Sequence, residues 1–228
     1  MQKGRCLGLV GGLGVGATIH YYKELARAHE ARGRTMDVVI AHAETSRVFE
    51  YVQAGDPRGL AKYLNGLLRR LVAAGAEVGA VPAITPLYAV RELVASSPLP
   101  LVSMVDAVAV ELASRSARRV AVFGTRYSIE SGLFGLLENV EVVHPRPDEV
   151  DLVHNIYAEL LRDGKGSDQQ LRILTALAHT LIEREKVDAI LLAGTDLSLI
   201  FNEANTKFPY VDCAALHIEA VVNSLLVP

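Results

Sequence analysis

Tryptophan is absent from the 228 residues, methionine occurs three times, cysteine twice, and aromatic residues make up only 6%. Two cysteines, Cys6 and Cys213, cannot build a disulfide framework, and neither stands in a cysteine/histidine spacing that would ligate a metal. Such usage fits a reducing, cytoplasmic setting. Excess positive charge is lacking as well. Lys and Arg number 23 against 26 Asp and Glu, a formal charge of -3, so the composition offers no basic field to a nucleic-acid partner. No apolar run approaches the roughly 20 residues a membrane helix requires. The run at 6–10 behind Lys3 and Arg5 is too short for the core of a signal peptide. These absences lead to the expectation of a cytoplasmic chain with no nucleic-acid and no membrane partner. What is plentiful is apolar side chain, half of all residues, enough to build the core of one large domain or two small ones.

Short β-branched runs alternate with longer amphipathic stretches. Runs at 6–10, 38–43, 79–81, 100–102, 120–123, 140–143, 189–192 and 210–212 read as strands. Their near-continuous apolar character suits strands of a parallel sheet covered on both faces. Helical spacing predicts helices over 18–31, 56–74, 86–95, 106–115, 128–138, 149–162, 167–186 and 213–226. Ser167 with Gln170 three residues on reads as a capping box. Strand–helix alternation predicts an α/β fold with right-handed crossovers. The opening Leu7-Gly8-Leu9-Val10-Gly11-Gly12 is echoed by Val120-Ala121-Val122-Phe123-Gly124-Thr125. The segment ending Val81-Pro82-Ala83-Ile84-Thr85 is echoed by Leu192-Ala193-Gly194-Thr195-Asp196. Both echoes lie a little over 110 residues apart, which predicts two similar α/β domains at 1–103 and 104–212. The helix at 213–228 is expected to pack back on the first.

The glycine-rich stretch Gly11-Gly12-Leu13-Gly14-Val15-Gly16 opens the first long helix. It resembles a dinucleotide fingerprint whose frame ends in Ala17, an allowed variant, but the acid at the end of the second strand, Glu44, comes late, and a Walker lysine is missing. The glycines either form a tight turn alone or expose N–H groups to a carboxylate, with Gly12 and Thr18 as its contacts. In the second half Thr125 and Ser128 bring two hydroxyls to a helix start, where Ser128 reads as an N-cap or a carboxylate contact. Thr195 and Asp196 follow a buried strand, the end where ligands collect in open α/β sheets; otherwise they cap a turn. Thr85 reads first as an N-cap with Pro86 at the first helical position. Lys165 lies in the glycine-flanked Asp163-Gly164-Lys165-Gly166, which either folds over a ligand or is a solvated loop. His154, His179 and His217 fall on predicted helices. Cys213 and His217 are one turn apart and can face the same site, but no further metal ligand stands near them.

Four segments, in order over essentially the whole chain, resemble the aspartate/glutamate racemase superfamily. They are Gly11-Gly12-Leu13-Gly14 with Ala17-Thr18 and Tyr21-Tyr22; Gly124-Thr125-Arg126-Tyr127-Ser128; Val153-His154 through Gly164-Lys165; and Asp212-Cys213-Ala214-Ala215-Leu216-His217. The resemblance implies two pseudosymmetric Rossmann-like domains with parallel sheets, a dicarboxylic amino acid in the cleft between them, and a homodimer. It implies chemistry without pyridoxal phosphate, metal or other cofactor, in which a cysteine on each face of the substrate exchanges the α-proton. The family's Pro-Cys-Asn-Thr corresponds here to Pro82-Ala83-Ile84-Thr85, and its Gly-Cys-Thr-Glu to Ala193-Gly194-Thr195-Asp196. Ala83 and Gly194 thus replace the family cysteines. Three readings follow. In the first, the protein binds a small carboxylic or amino acid through Gly12, Thr18, Thr85, Thr125, Ser128, Thr195 and His217. Asp196, Lys165 or Cys213 then moves a proton in isomerisation, elimination or decarboxylation. The second is a carboxylate-binding protein without catalysis, and the third a racemase with non-cysteine bases.

Overall fold

The computed structural model describes residues 4–226. The chain forms two compact units, one running to Ser103 and resuming at His217, the other comprising Met104–Leu216. In the first, β1 (Leu7–Gly11) lies between β2 (Val38–His42) and β3 (Val78–Ala80), all parallel. Every residue of β1 is buried, whereas β2 is partly exposed, the burial expected of a central strand and an edge strand. The helices of this stretch are α1 (Val15–Ala31), α2 (Thr45–Gln53), α3 (Pro57–Ala73) and α4 (Val90–Ser96). Helix α3 starts where Asp56 accepts the Gly59 N–H at 2.8 Å, and it buries the stripe Leu60, Leu64, Leu67, Leu68 and Leu71.

The second unit has the sheet order β5-β4-β6-β7, again all parallel, from β4 (Arg119–Gly124), β5 (Glu141–Val143), β6 (Ala189–Ala193) and β7 (Tyr210–Asp212). Its helices are α5 (Met104–Ser114), α6 (Arg126–Glu130), α7 (Pro147–Asp163) and α8 (Asp168–Glu185); α9 (Cys213–Leu226) passes into the first unit at His217. The Glu149 carboxylate ties α7 to α8 by accepting from both terminal nitrogens of Arg184 at 2.7 and 2.8 Å, and it also takes the Arg146 N–H. The capping box of α8 forms as expected, with Ser167 accepting from the Gln170 N–H.

The second sheet repeats the first, with β4, β5 and β6 in the places of β1, β2 and β3. Where the second has β7, the first has only a single parallel bridge from Gly79 to Leu101, so the strand expected at 100–102 is reduced to one residue. The helix expected at 128–138 is also much shorter. Gly132, Leu133, Phe134 and Gly135 all have positive φ, which no α-helix tolerates, so α6 ends at Glu130 and a 3₁₀ turn follows. Helix α2 was not expected; it buries only Val48 and Val52 and has no side-chain cap.

Candidate active site at the strand ends of the second unit

In α/β sheets the carboxyl ends of central strands carry the turns that meet ligands. In the first unit those turns are occupied with holding themselves. Gly12 has φ +89°, and a Cβ there would lie 2.4 Å from the Ala43 carbonyl oxygen, so only glycine fits beside the end of β2. Its N–H donates to Thr18 Oγ1 at 2.9 Å and its carbonyl accepts from Thr45 Oγ1 at 2.8 Å. Thr18 in turn donates to the Gly14 carbonyl. Gly12 and Thr18, expected to contact a ligand, therefore make the tight turn that launches α1.

His217 is enclosed too. Its Nε2 lies 3.0 Å from the Val102 carbonyl and its Nδ1 3.0 Å from Tyr21 Oη. A carbonyl only accepts, so Nε2 carries the proton and Tyr21 donates to Nδ1. Burial lowers the imidazole to about 4, and it stays neutral. Both ring nitrogens of His217, expected to contact a ligand, are engaged inside the unit, tying α1 to α9 and to the residue after the Leu101 bridge. Cys213 does not share this arrangement. It is 1% exposed, and burial together with Asp212 pushes its thiol well above the usual cysteine range. A thiol held protonated is a poor proton acceptor, which counts against the expected catalytic part for Cys213.

After β3 the chain runs through Ala83 and Ile84, both 5% exposed, into a 3₁₀ turn at Thr85–Ala89. Thr85 is the first residue of that turn; Ile84 is its cap and makes no side-chain bond, so the expected threonine cap is corrected. The turn after β6 is its counterpart, Thr195–Leu199, and the Leu87 N–H to Ile84 bond is matched by Leu197 N–H to Gly194. Strand registers set Leu7 against Val78 and Val120 against Ala189, an offset of 111 between the outer partners. The two turns start at Thr85 and Thr195, an offset of 110. The second half thus has one residue fewer between strand and turn, so Thr85 matches Thr195, and Asp196 falls opposite Pro86.

That shift places a carboxylate where the first half has the pyrrolidine ring of Pro86. Asp196 is 1% and Thr195 2% exposed. Helix α7 supplies the polar partners of both strand-end turns from one face. His154 Nδ1 accepts the Arg126 N–H at 3.3 Å, and Tyr157, one turn on, donates from Oη to Asp196 Oδ2 at 3.4 Å. Burial and the Asp196 carboxylate push the Tyr157 phenol far up, opposed by bonds from the Asp196 backbone and the Thr195 hydroxyl. Burial, then the nearby Arg126 charge, lowers His154, so its imidazole is neutral with the proton on Nε2. Thr125 caps α6 by accepting the Ser128 N–H at 3.2 Å, and the two buried hydroxyls lie 2.7 Å apart; Ser128 is not the cap. Because Gly124 pairs with Ala193, Thr125 and Gly194 leave neighbouring strands at the same sheet end, and the Gly194 nitrogen lies 3.7 Å from where a Gly124 Cβ would stand.

Lys165 is exposed in the loop after α7, whose Gly164 has φ +63°. Neighbouring Gly166 abuts Leu199 and Ile200, so this loop runs along the far end of the Asp196 turn. The site therefore joins Thr125, Ser128, Thr195 and Asp196, all legible in the sequence, with His154 and Tyr157. Tyr157 was missed, although its i,i+3 spacing from His154 was there to read. Among the described residues no group of three or more His, Cys, Asp or Glu is placed to hold a metal ion, and no helix is long and apolar enough to cross a membrane.

Two repeated parallel α/β units, each with its polar turns at strand carboxyl ends, define a class of two-domain α/β proteins. Within that class the chain belongs to the Asp/Glu/Hydantoin racemase family, whose profile matches residues 10–221. A Yersinia pestis protein proposed to be an Asp/Glu racemase is 26% identical, with a TM-score of 0.83 over 98% of this chain and 100% of that one. An aspartate racemase homologue from Pyrococcus horikoshii is also 26% identical, with a TM-score of 0.79 and 98% of each chain covered. Arylmalonate decarboxylase shares the fold at 16% identity, with a TM-score of 0.59 over 98% of this chain and 94% of that one.

Proposed function

We propose that this protein binds a small carboxylic or amino acid at the strand ends of its racemase-family fold and acts on it through one acid/base group, Asp196, instead of a pair of thiols. One observation carries the reading. The two positions that resemble the family's cysteine segments are Ala83 and Gly194, neither able to carry a proton, while the residue two after Gly194 is a buried carboxylate hydrogen-bonded to Tyr157. Inversion at a carbon needs a proton exchanged on each face, so a single base supports isomerisation, elimination or decarboxylation of a carbon acid better than racemisation. The hydroxyls of Thr125, Ser128 and Thr195 are the donors in this reading, and Lys165 is the neighbouring cation. Ala83 and Ile84 present no polar group, which favours a ligand less polar on one side than aspartate.

The test is to incubate the protein with L-aspartate and L-glutamate in heavy water, and in parallel with a panel of small carboxylic acids watched by thermal shift. The expected result is no racemisation of either amino acid, with stabilisation by at least one acid and deuterium incorporation or turnover of that acid. An acid that saturates at about 100 times its Kd raises stability by roughly 2.7 kcal/mol. Racemisation surviving in Asp196→Asn overturns the reading. Binding without exchange or turnover would show a carboxylate-binding protein instead.

A further inference from the structure

Gly194 has φ −151° and ψ 112°, extended backbone that any residue adopts, so nothing in its conformation demands glycine. Space does. A Cβ at this position would lie 2.3 Å from Tyr157 Cε2, 2.8 Å from Cζ and 3.0 Å from Cδ2. The edge of a buried aromatic ring stands where a side chain of residue 194 would begin. The same ring carries the hydroxyl that reaches Asp196 Oδ2 at 3.4 Å, and Tyr157 is 5% exposed. Val153, Ile156 and Leu160 on the same helix are buried with it.

We infer that Tyr157 is a positioning and specificity-determining residue: its ring fills the space of a side chain at residue 194, and its hydroxyl fixes the carboxylate of Asp196. One residue thus excludes a second functional group from the end of β6 and orients the one that remains. The consequence for substrate is steric. Beside Gly194 a ligand meets the edge of a phenol ring and not a flexible thiol, which favours a flat or unbranched group there. That consequence rests on the one-base reading above; the placement of Tyr157 does not, and it is tested without any ligand.

Two measurements on the full chain decide it. The first is a coupling cycle by urea unfolding with Gly194→Ala, Tyr157→Leu and the double variant. Gly194→Ala is expected to lower the unfolding midpoint in the wild-type background and to cost less, or nothing, once the ring is gone. Additive effects would overturn the steric part. The second follows the carboxyl carbon of Asp196 by NMR in wild type and in Tyr157→Phe, which keeps the ring. Losing a donor to the charged form moves the Asp196 titration to higher pH, by about one pH unit for a hydrogen bond to a charged group. Tyr157 on α7 is a titratable group bonded to Asp196, and the Lys165 loop passes the end of the same turn, so Lys165→Met is the control expected to move it less. An unmoved titration in Tyr157→Phe overturns the positioning part. Should Tyr157→Leu fail to fold, the phenylalanine variant still decides that part, and Gly194→Ala alone decides the steric one, since an unchanged midpoint contradicts the overlap. If both measurements succeed and no carboxylic acid binds, the one-base reading fails while this inference stands.

Discussion

The turns after β3 and after β6 have the same backbone and opposite contents. Each is a five-residue 3₁₀ turn beginning with threonine at the end of a buried strand, with the same first hydrogen bond. The first is sealed by Pro82, Ala83, Ile84 and Pro86, all buried and without a titratable group. The second buries Thr195 and Asp196. A buried carboxylate is costly unless hydrogen-bonded, so the second turn needs a partner from elsewhere, and α7 brings it as Tyr157. The first needs none. The repeated fold therefore repeats the turn, while the residues in it differ, a buried carboxylate at Asp196 opposite the buried ring of Pro86.

Five sets of measurements bear on this contrast. The largest effect belongs to Asp196→Asn, which keeps shape and the tyrosine contact but removes the proposed base. Deuterium exchange into, or turnover of, a bound carbon acid should fall by about 100-fold or more, and the same assay on Thr85→Val should show far less loss. Next comes the enclosed histidine of the first unit. His217→Leu removes the ring that bonds both the Tyr21 hydroxyl and the Val102 carbonyl, at a cost of about 2–4 kcal/mol by urea unfolding.

The pH dependence is tied to the same ring. The folded imidazole titrates at about 4 against an ordinary 6.5, so the unfolded chain binds the proton first. Stability should fall as pH drops from about 6.5 to about 4, by on the order of 3 kcal/mol from this group, with no further loss from it below that. The His217→Leu variant should have a flatter acid limb over the same window.

Cysteine introduced at both turns tests their packing directly. Gly194→Cys meets the Tyr157 ring and should cost about 1–3 kcal/mol in unfolding free energy, with Ala83→Cys costing less because a Cβ is already accommodated there. Smallest are the two threonines at the first helical turns. Thr125→Val removes the cap of α6, about 1 kcal/mol. Thr18→Val removes the bridge between Gly12 and Gly14 and should cost a similar amount by urea unfolding, again about 1 kcal/mol. If the hydroxyls of the second unit serve a ligand, only the Thr125 change, combined with Ser128→Val, should also weaken carboxylate binding.

Most of the fold lay in the pattern of the chain. Continuous apolar runs such as Leu7–Gly11 and Ala189–Ala193 identified the central strands because they are buried on both faces, and the leucine stripe of α3 identified its buried side. Helix α2 escaped because its nine residues are fewer than a helical period needs to stand out in a sequence, and no side-chain cap marks its start. The end of α6 escaped because positive φ at Leu133 and Phe134 is imposed by the surrounding chain and not by residues that favour it. In the site, Thr125, Ser128, Thr195 and Asp196 were legible from their places after strands, and Ala83 and Gly194 from the motifs they interrupt.

Composition, periodicity and motif order by themselves determined the two-part α/β architecture and the family, since these follow from local apolar spacing and from residues close in sequence. Only the tertiary structure decided what the polar residues do. Tyr21 meets His217 across 196 positions, and Tyr157 meets Asp196 across 39. No periodicity links such pairs, because they are selected by the need to satisfy polar groups that burial has removed from water. That need made His217 a structural tie, and it gave Asp196 a tyrosine partner whose ring stands in the place of a side chain at Gly194.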